Sequence, residues 1–290
     1  MSEKFKILIG YDGSEYADFA LDDLRRAGLP DEANVFVATV AEMWIRMPLS
    51  YGGVETSYVD ENVTGEKQAR EIAAKGAEKL KEYFPKWTIN YATAVGSPSG
   101  ILLAKADEWK PDLIVVGSQS RGAIGRFFFG SVAHTLVNNA FSSVRIARKN
   151  EESLIDNSEK APRILIGVDG SEGADAVLDS IISRNWTTGI EVCVVSARDY
   201  LIPLKQFDLV EPNGIQRSEF FREEMQKAES NVNRAAEKLE QAGFSTIAVI
   251  KNQDPKNLLI EQAKEWKADC IYVGAKGLSR IQRILIGSVS

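Results

Sequence analysis

KILIGYDGSEYADFAL, residues 6–21, comes back as RILIGVDGSEGADAVL, residues 163–178, with 11 of 16 positions identical at an offset of 157. The same offset carries Pro98 to Pro255, Trp109 to Trp266, Gly117 to Gly274 and Gly130 to Gly287. Self-similarity at one long period marks a structural unit written twice. The 290-residue chain is therefore read as two domains, 1–149 and 162–290. A polar stretch without a sustained hydrophobic period, 150–161, is the expected linker.

Inside the quoted stretch an apolar run, KILIGY, stops at the turn DGS, after which Ala17, Ala20, Leu21 and Leu24 recur at helical spacing. NVFVATVA (34–41) reads as a second buried strand, and EKQAREIAAKGAEKLKEYF (66–84) as a long amphipathic helix. WTINYATAV (87–95), a helix after Pro98, DLIVVGS (112–118) and VRIAR (144–148) continue the alternation. Strands flanked by helices, and lacking the two-residue period of a half-exposed sheet, predict an α/β domain with a parallel sheet covered on both faces. Ligands of such sheets bind outside the carboxyl ends of the strands, where strand order reverses. The positions to inspect are then Asp12 and Asp169 after the first strands, Val40 and Ala197 at the end of the second, and the segments that begin at Gly117 and Gly274.

Composition removes several function classes. A net charge of -6 and a pI near 5.2 argue against a broad phosphate-binding surface, so no nucleic-acid partner is expected. Cys193 and Cys270 are the two cysteines, each within an apolar run, which leaves no basis for a disulfide framework and fits a reducing cytoplasm. No apolar run approaches the roughly 20 residues that cross a bilayer, and MSEKFKILIG is too charged for a signal peptide. No membrane partner is expected. His134 is the single histidine and has no visible triad partner, and no metal-ligand spacing occurs, so no catalytic and no metal residue is assigned.

The stretch GAKGLSRIQRILIGS, residues 274–288, carries the most specific chemistry. A glycine-rich turn between strand and helix brings backbone N–H groups to one anion, because glycine lacks the Cβ that blocks approach and the helix start adds unsatisfied donors. Gly274 and Gly277 suit a tight turn leaving the fourth strand, and Gly287 and Ser288 the start of a helix that returns to the same pocket. The plainer alternative is that the glycines only permit turns and that Ser288 only caps a helix. No GxxxxGK[ST], no GxGxxG after the first strand and no kinase-type glycine loop is present. At Asp12 and Asp169 the plain alternative is an Asx turn over D-G-S.

The pattern G-x-x-G, nine residues, then G-S resembles the ATP-binding signature of the universal stress protein family. The second copy carries it whole, as Gly274, Gly277, Gly287 and Ser288; in the first, Gly117, Gly130 and Ser131 match and Ser120 replaces the second glycine. DGSE after the first strand of both copies, and GSP at 96–98, extend the likeness. The resemblance implies two tandem Rossmann-like domains of the adenine nucleotide alpha hydrolase-like kind, with sheets in the order 3-2-1-4-5. It also implies ATP, with or without Mg2+, as cofactor: adenine against the backbone of Val40 or Ala197, ribose or the metal near Asp12 or Asp169, phosphates on the glycine loop. Pairing of fifth-strand edges between two domains, as a homodimer or within one chain, follows from it too.

Each copy departs from that pattern in its own way. Ser120 places a Cβ where the family has none, and the second copy has only Ser288, Val289 and Ser290 after Gly287, so its last helix and strand are missing from this sequence. The leading expectation is a stress-response protein in which an adenine nucleotide regulates partner contacts. Its rivals are a slow ATPase or phosphotransferase and a nucleotide-free dimerising scaffold, with an enzyme the less favoured class. MWIRMPLSYGG (43–53) and YLIPLKQF (200–207) are apolar for loops and read either as lids or interdomain contacts or as packing on a helix; FFF at 127–129 reads as core.

Overall fold

A computed structural model describes residues 3–41, 61–118, 130–148, 161–197 and 214–275. The chain divides into two compact units, Met1–Asn157 and Ser158–Ser290. The linker expected at 150–161, apart from Ala161, lies outside the described residues, as do the loops at 43–53 and 200–207 and the triple phenylalanine at 127–129.

The first unit runs β1 (Phe5–Gly10), α1 (Glu15–Asp23), a 3-10 turn (Leu24–Arg26), β2 (Ala33–Ala41), α2 (Glu61–Tyr83), β3 (Thr88–Val95), α3 (Pro98–Trp109), β4 (Leu113–Gly117), α4 (Ser131–Asn139) and β5 (Ser143–Ala147). Its strands form one parallel sheet in the order β3-β2-β1-β4-β5. The second unit repeats the plan with β6 (Arg163–Gly167), α5 (Glu172–Ile182), β7 (Glu191–Ala197), α6 (Gly214–Gln241), β8 (Ser245–Lys251), α7 (Pro255–Glu265) and β9 (Cys270–Val273). Its four described strands are parallel in the order β8-β7-β6-β9.

Alternation of side chains along a strand explains how one apolar run serves two cores. Ile7, Ile9 and Tyr11 pack with α1 and α2 residues such as Leu21 and Leu80, whereas Leu8 faces Leu102 of α3 and Leu136 of α4. In β4, Leu113 and Val115 join the first core and Ile114 and Val116 the second. Ile164 and Ile166 against Leu165 repeat the division in the second unit. Both faces being covered is why these strands read as continuous apolar runs.

Helix starts and ends follow the same script twice. Ser14 and Ser171 cap α1 and α5, each Oγ accepting from a backbone N–H, Ala17 at 3.2 Å and Ala174 at 3.3 Å. Pro98 and Pro255 open α3 and α7, where a missing N–H costs nothing. Just past these helices Lys110 and Lys267 adopt left-handed backbone, φ 49° and 54°. Beyond them, Asp112 Oδ2 accepts from the Lys6 N–H at 2.7 Å and Asp269 Oδ2 from the Arg163 N–H at 2.8 Å, fastening the amino ends of adjacent strands.

The second helix of each unit departs from the common offset. Lys79 pairs with Asp22 at 2.8 Å and Lys238 with Asp179 at 2.6 Å; the acids stand 157 positions apart and the lysines 159. The buried Ala73 and Val232 also correspond at 159. The offset returns to 157 at the next strand, since Thr88 pairs with Asn34 and Ser245 with Glu191. Two residues are thus gained before the helix and lost after it.

Candidate functional site

The carboxyl end of β1 is fixed by the residues that follow it. Asp12 Oδ1 accepts from the N–H of Ser14 at 2.9 Å, and Asp169 Oδ1 from that of Ser171 at 3.0 Å, so the Asx turn is present in both units. Gly13 and Gly170 supply the positive φ it needs, 70° and 79°. Tyr11 donates its N–H to Ala38 at 3.0 Å and accepts from the buried Thr39 hydroxyl at 2.7 Å. Those two bonds tie the Asp12 turn to the end of β2, beside the half-buried Val40. In the second unit the Val168 N–H donates to Val195 at 2.9 Å, and Ala197 ends β7.

Across the reversal of strand order, the fourth strand and the next helix meet. The Ser118 N–H donates to Ala147 at 2.9 Å, and the Gly130 N–H donates to the Ser118 carbonyl at 2.7 Å. Ser118 and Gly130 therefore meet, and Gly117, Gly130 and Ser131 are brought together. Gly130 is the N-cap of α4 and makes no side-chain cap, and exposed Ser131 is its first helical residue. Ser131 therefore does not cap α4. Three backbone donors of the first turn, on Ser131, Val132 and Ala133, consequently start at the carboxyl end of the sheet.

Two expected glycines have a structural duty independent of any ligand. A Cβ on Gly117 would lie 2.8 Å from the Tyr16 carbonyl carbon, and one on Gly274 would lie 2.4 Å from that of Gly173. The first helix of each unit crosses its fourth strand too closely for a side chain. Ser120, Gly277, Gly287 and Ser288 lie outside the described residues.

Sequence reading missed one wall of the second site. A cleft of about 480 Å3 opens between the Asp169–Gly170 turn and a stripe of α6 formed by Glu223, Gln226, Lys227, Ser230 and Asn231. These residues follow the spacing i, i+3, i+4, i+7, i+8 of one helix face. The core face of the same helix carries Ala228, Val232, Ala235 and Leu239. A second stripe of this kind, polar where Ile72 packs against the core at the matched position, was the available signal.

Among the described residues no group of three or more His, Cys, Asp or Glu side chains could hold a metal ion. His134 is exposed on α4 with Asn138 beside its ring. Cys193 is buried and Cys270 half-buried, and burial pushes the Cys193 thiol up to about 11. No helix among the described residues is long and apolar enough to cross a membrane.

A sequence model of the universal stress protein family matches residues 5–148 and again residues 161–290. The chain belongs to this family. A universal stress protein of Mycobacterium tuberculosis is 26% identical over 291 residues, spanning 98% of this chain and 91% of the relative. The crystal structure of a universal stress protein from Archaeoglobus fulgidus is similar at a TM-score of 0.59 and 18% identity, over 98% of this chain and 90% of that one. A putative universal stress protein from Pseudomonas aeruginosa is similar at 0.51 and 13%, over 96% and 85%. The two structures share the fold of this tandem universal stress protein, in which each copy contributes one α/β unit.

Proposed function

We propose that this universal stress protein binds an adenine nucleotide, ATP or a relative, at the carboxyl end of each sheet and acts as a regulatory or scaffold protein. The observation that carries the reading is the meeting of Gly130 with Ser118, which starts the uncapped α4 beside the strand end that bears Asp12. Exposed amides at a helix start suit a phosphate, and the adjacent carboxylate suits the hydroxyls of a sugar. The donor set therefore fits a nucleotide: Ser131 and the amides after it would take phosphate, Asp12 the ribose, and the backbone at Val40 the base. In the second unit Asp169, Ala197 and Gly274, with Gly277, Gly287 and Ser288, are the proposed counterparts. Binding in the cytoplasm, with Mg2+ accompanying the phosphates, and pairing of a second copy through the open edge of β5 complete the reading.

Purified protein is to be denatured and the released small molecules identified by mass spectrometry, with a thermal-shift titration of ATP alongside. An adenine nucleotide in the extract, or a rise in melting temperature that saturates with ATP, supports the proposal. Absence of both removes it.

One observation favours the nucleotide-free scaffold as a second reading. Gly117 and Gly274 are required by helix packing, and both aspartates already serve as turn acceptors, so these four residues have roles without a ligand. A shared stoichiometry of self-association with and without ATP would support it.

A further inference from the structure

The α6 cleft of the second unit has a composition that decides what part of a ligand it suits. Its lining holds two carboxylates, Asp169 and Glu223, against one ammonium, Lys227, so a phosphate group would be repelled. The remaining groups, Gln226, Ser230 and Asn231, are neutral donors and acceptors. Gly170 makes room for one of them: a Cβ there would lie 2.5 Å from Asn231 Nδ2 and 2.7 Å from its Oδ1. Asp169 spends Oδ1 on its turn, which leaves Oδ2 without a hydrogen bond among the described residues. Uncharged hydroxyls next to a carboxylate and a carboxamide are the chemistry that matches. At the positions of α2 that correspond to Gln226 and Asn231, the first unit has Lys67 and Ile72, and Ile72 packs into the core.

We propose that α6 is a specificity wall of the second site, in which Asn231, seated on Gly170, reads the vicinal hydroxyls of the nucleotide sugar beside Asp169. The inference rests on the nucleotide-binding reading above and sharpens it: the second unit distinguishes ribonucleotides from deoxy sugars, and the first lacks that wall. Gln226 and Ser230 line the same stripe and complete the polar face. Since Ile72 stands at the matched place of the corresponding helix, Asn231→Ile substitutes a residue this helix geometry already accommodates.

The test uses the full chain carrying Asp12→Ala, so that the second site dominates, titrated with ATP and with 2',3'-dideoxyATP by calorimetry. ATP is expected to bind about tenfold more tightly, the worth of one to two hydrogen bonds. Adding Asn231→Ile should bring the two affinities to within about twofold, leaving that for the dideoxy compound unchanged. Should the preference survive Asn231→Ile, or should both affinities fall together, the inference is overturned and nucleotide binding stands. If neither nucleotide binds, in this background or in the unmodified chain, both readings fall.

Discussion

Gly117 and Tyr16 approach so closely that a Cβ on the glycine would sit 2.8 Å from both the carbonyl carbon and the carbonyl oxygen of Tyr16. The obstacle is backbone in the first turn of α1, which cannot swing aside as a side-chain tip can. Gly117→Ala should therefore destabilise the first unit by about 1–3 kcal/mol, the usual scale of overpacking. Chemical denaturation with and without ATP checks it. The loss should be the same in both, because it arises from a helix crossing and owes nothing to a phosphate.

The two aspartates separate a turn role from a ligand role. Asparagine retains the Oδ1 acceptor for the N–H of Ser14 or Ser171, and alanine does not. Asp12→Asn and Asp169→Asn should leave unfolding free energy within about 0.5 kcal/mol of the parent, whereas the alanine variants lose about 0.5–1.5 kcal/mol. ATP affinity should fall in both series if the charge meets the nucleotide. An affinity kept by asparagine and lost by alanine would assign the residue to the turn alone.

Local rules made most of the fold legible in the sequence, because continuous apolar runs, DGS turns and helical spacing each fix a short stretch of chain. β1, β2 and β4 were placed to within a residue at each end, and Pro98 marked the start of α3. α2 begins at Glu61, five residues before the Glu66 at which its helical pattern becomes legible, since ENVTG carries a glycine and few helix formers. Gly117, Gly130 and Ser131 come together through the Gly130–Ser118 bond. What stayed hidden depends on distant contacts: that Gly117 answers to Tyr16, and that Asn231 faces Gly170, are facts about helices crossing strands far away in the chain. The shift of offset from 157 to 159 within α6 hid the second of these further, since aligning Asn231 by the common offset would set it against Ala74 and not Ile72.

Alkaline pH should weaken the first unit through Tyr83. Its hydroxyl donates to Asp22 at 2.8 Å, and burial, then that bond and the Asp22 charge, push the phenol up to about 12. The folded value lies above the ordinary 10.0, so the stabilisation is whole below about pH 10 and is lost as pH rises towards 12. Tyr83→Phe should flatten the decline of stability across that window. Cys193 has the same sign, raised by burial from 9.0 to about 11, and its thiol should react with iodoacetamide only as the protein unfolds.

Lys110, directly after α3, and Lys267, one residue further past the end of α7, occupy left-handed backbone, a conformation that costs a residue with a Cβ about 1 kcal/mol. Lys110→Gly and Lys267→Gly should each raise stability, by no more than about 1 kcal/mol, because glycine's greater freedom in the unfolded chain offsets part of the relief. Urea denaturation gives the answer. A loss of stability would mean that the lysine side chains make contacts outweighing the strain.

The pairing of Tyr11 with Gly76 invites a double-mutant cycle. A Cβ on Gly76 would lie 2.7 Å from the Tyr11 ring, which is buried on β1's α2 side with its hydroxyl donating to Asp18 at 2.6 Å. The second unit solves the same contact with Val168 and Ala235, both in one core cluster, at the positions that correspond to Tyr11 and Gly76. Gly76→Ala alone should cost about 1–3 kcal/mol by overpacking, and Tyr11→Val alone about 2–4 kcal/mol by opening a cavity. The double variant should lose at least 1 kcal/mol less than the sum, since the new methyl group enters the space the ring vacates. Denaturant titrations of all four proteins measure the coupling. Strict additivity would show that α2 shifts to accommodate Gly76→Ala, and that the turn at Asp12 is not held in place by this contact.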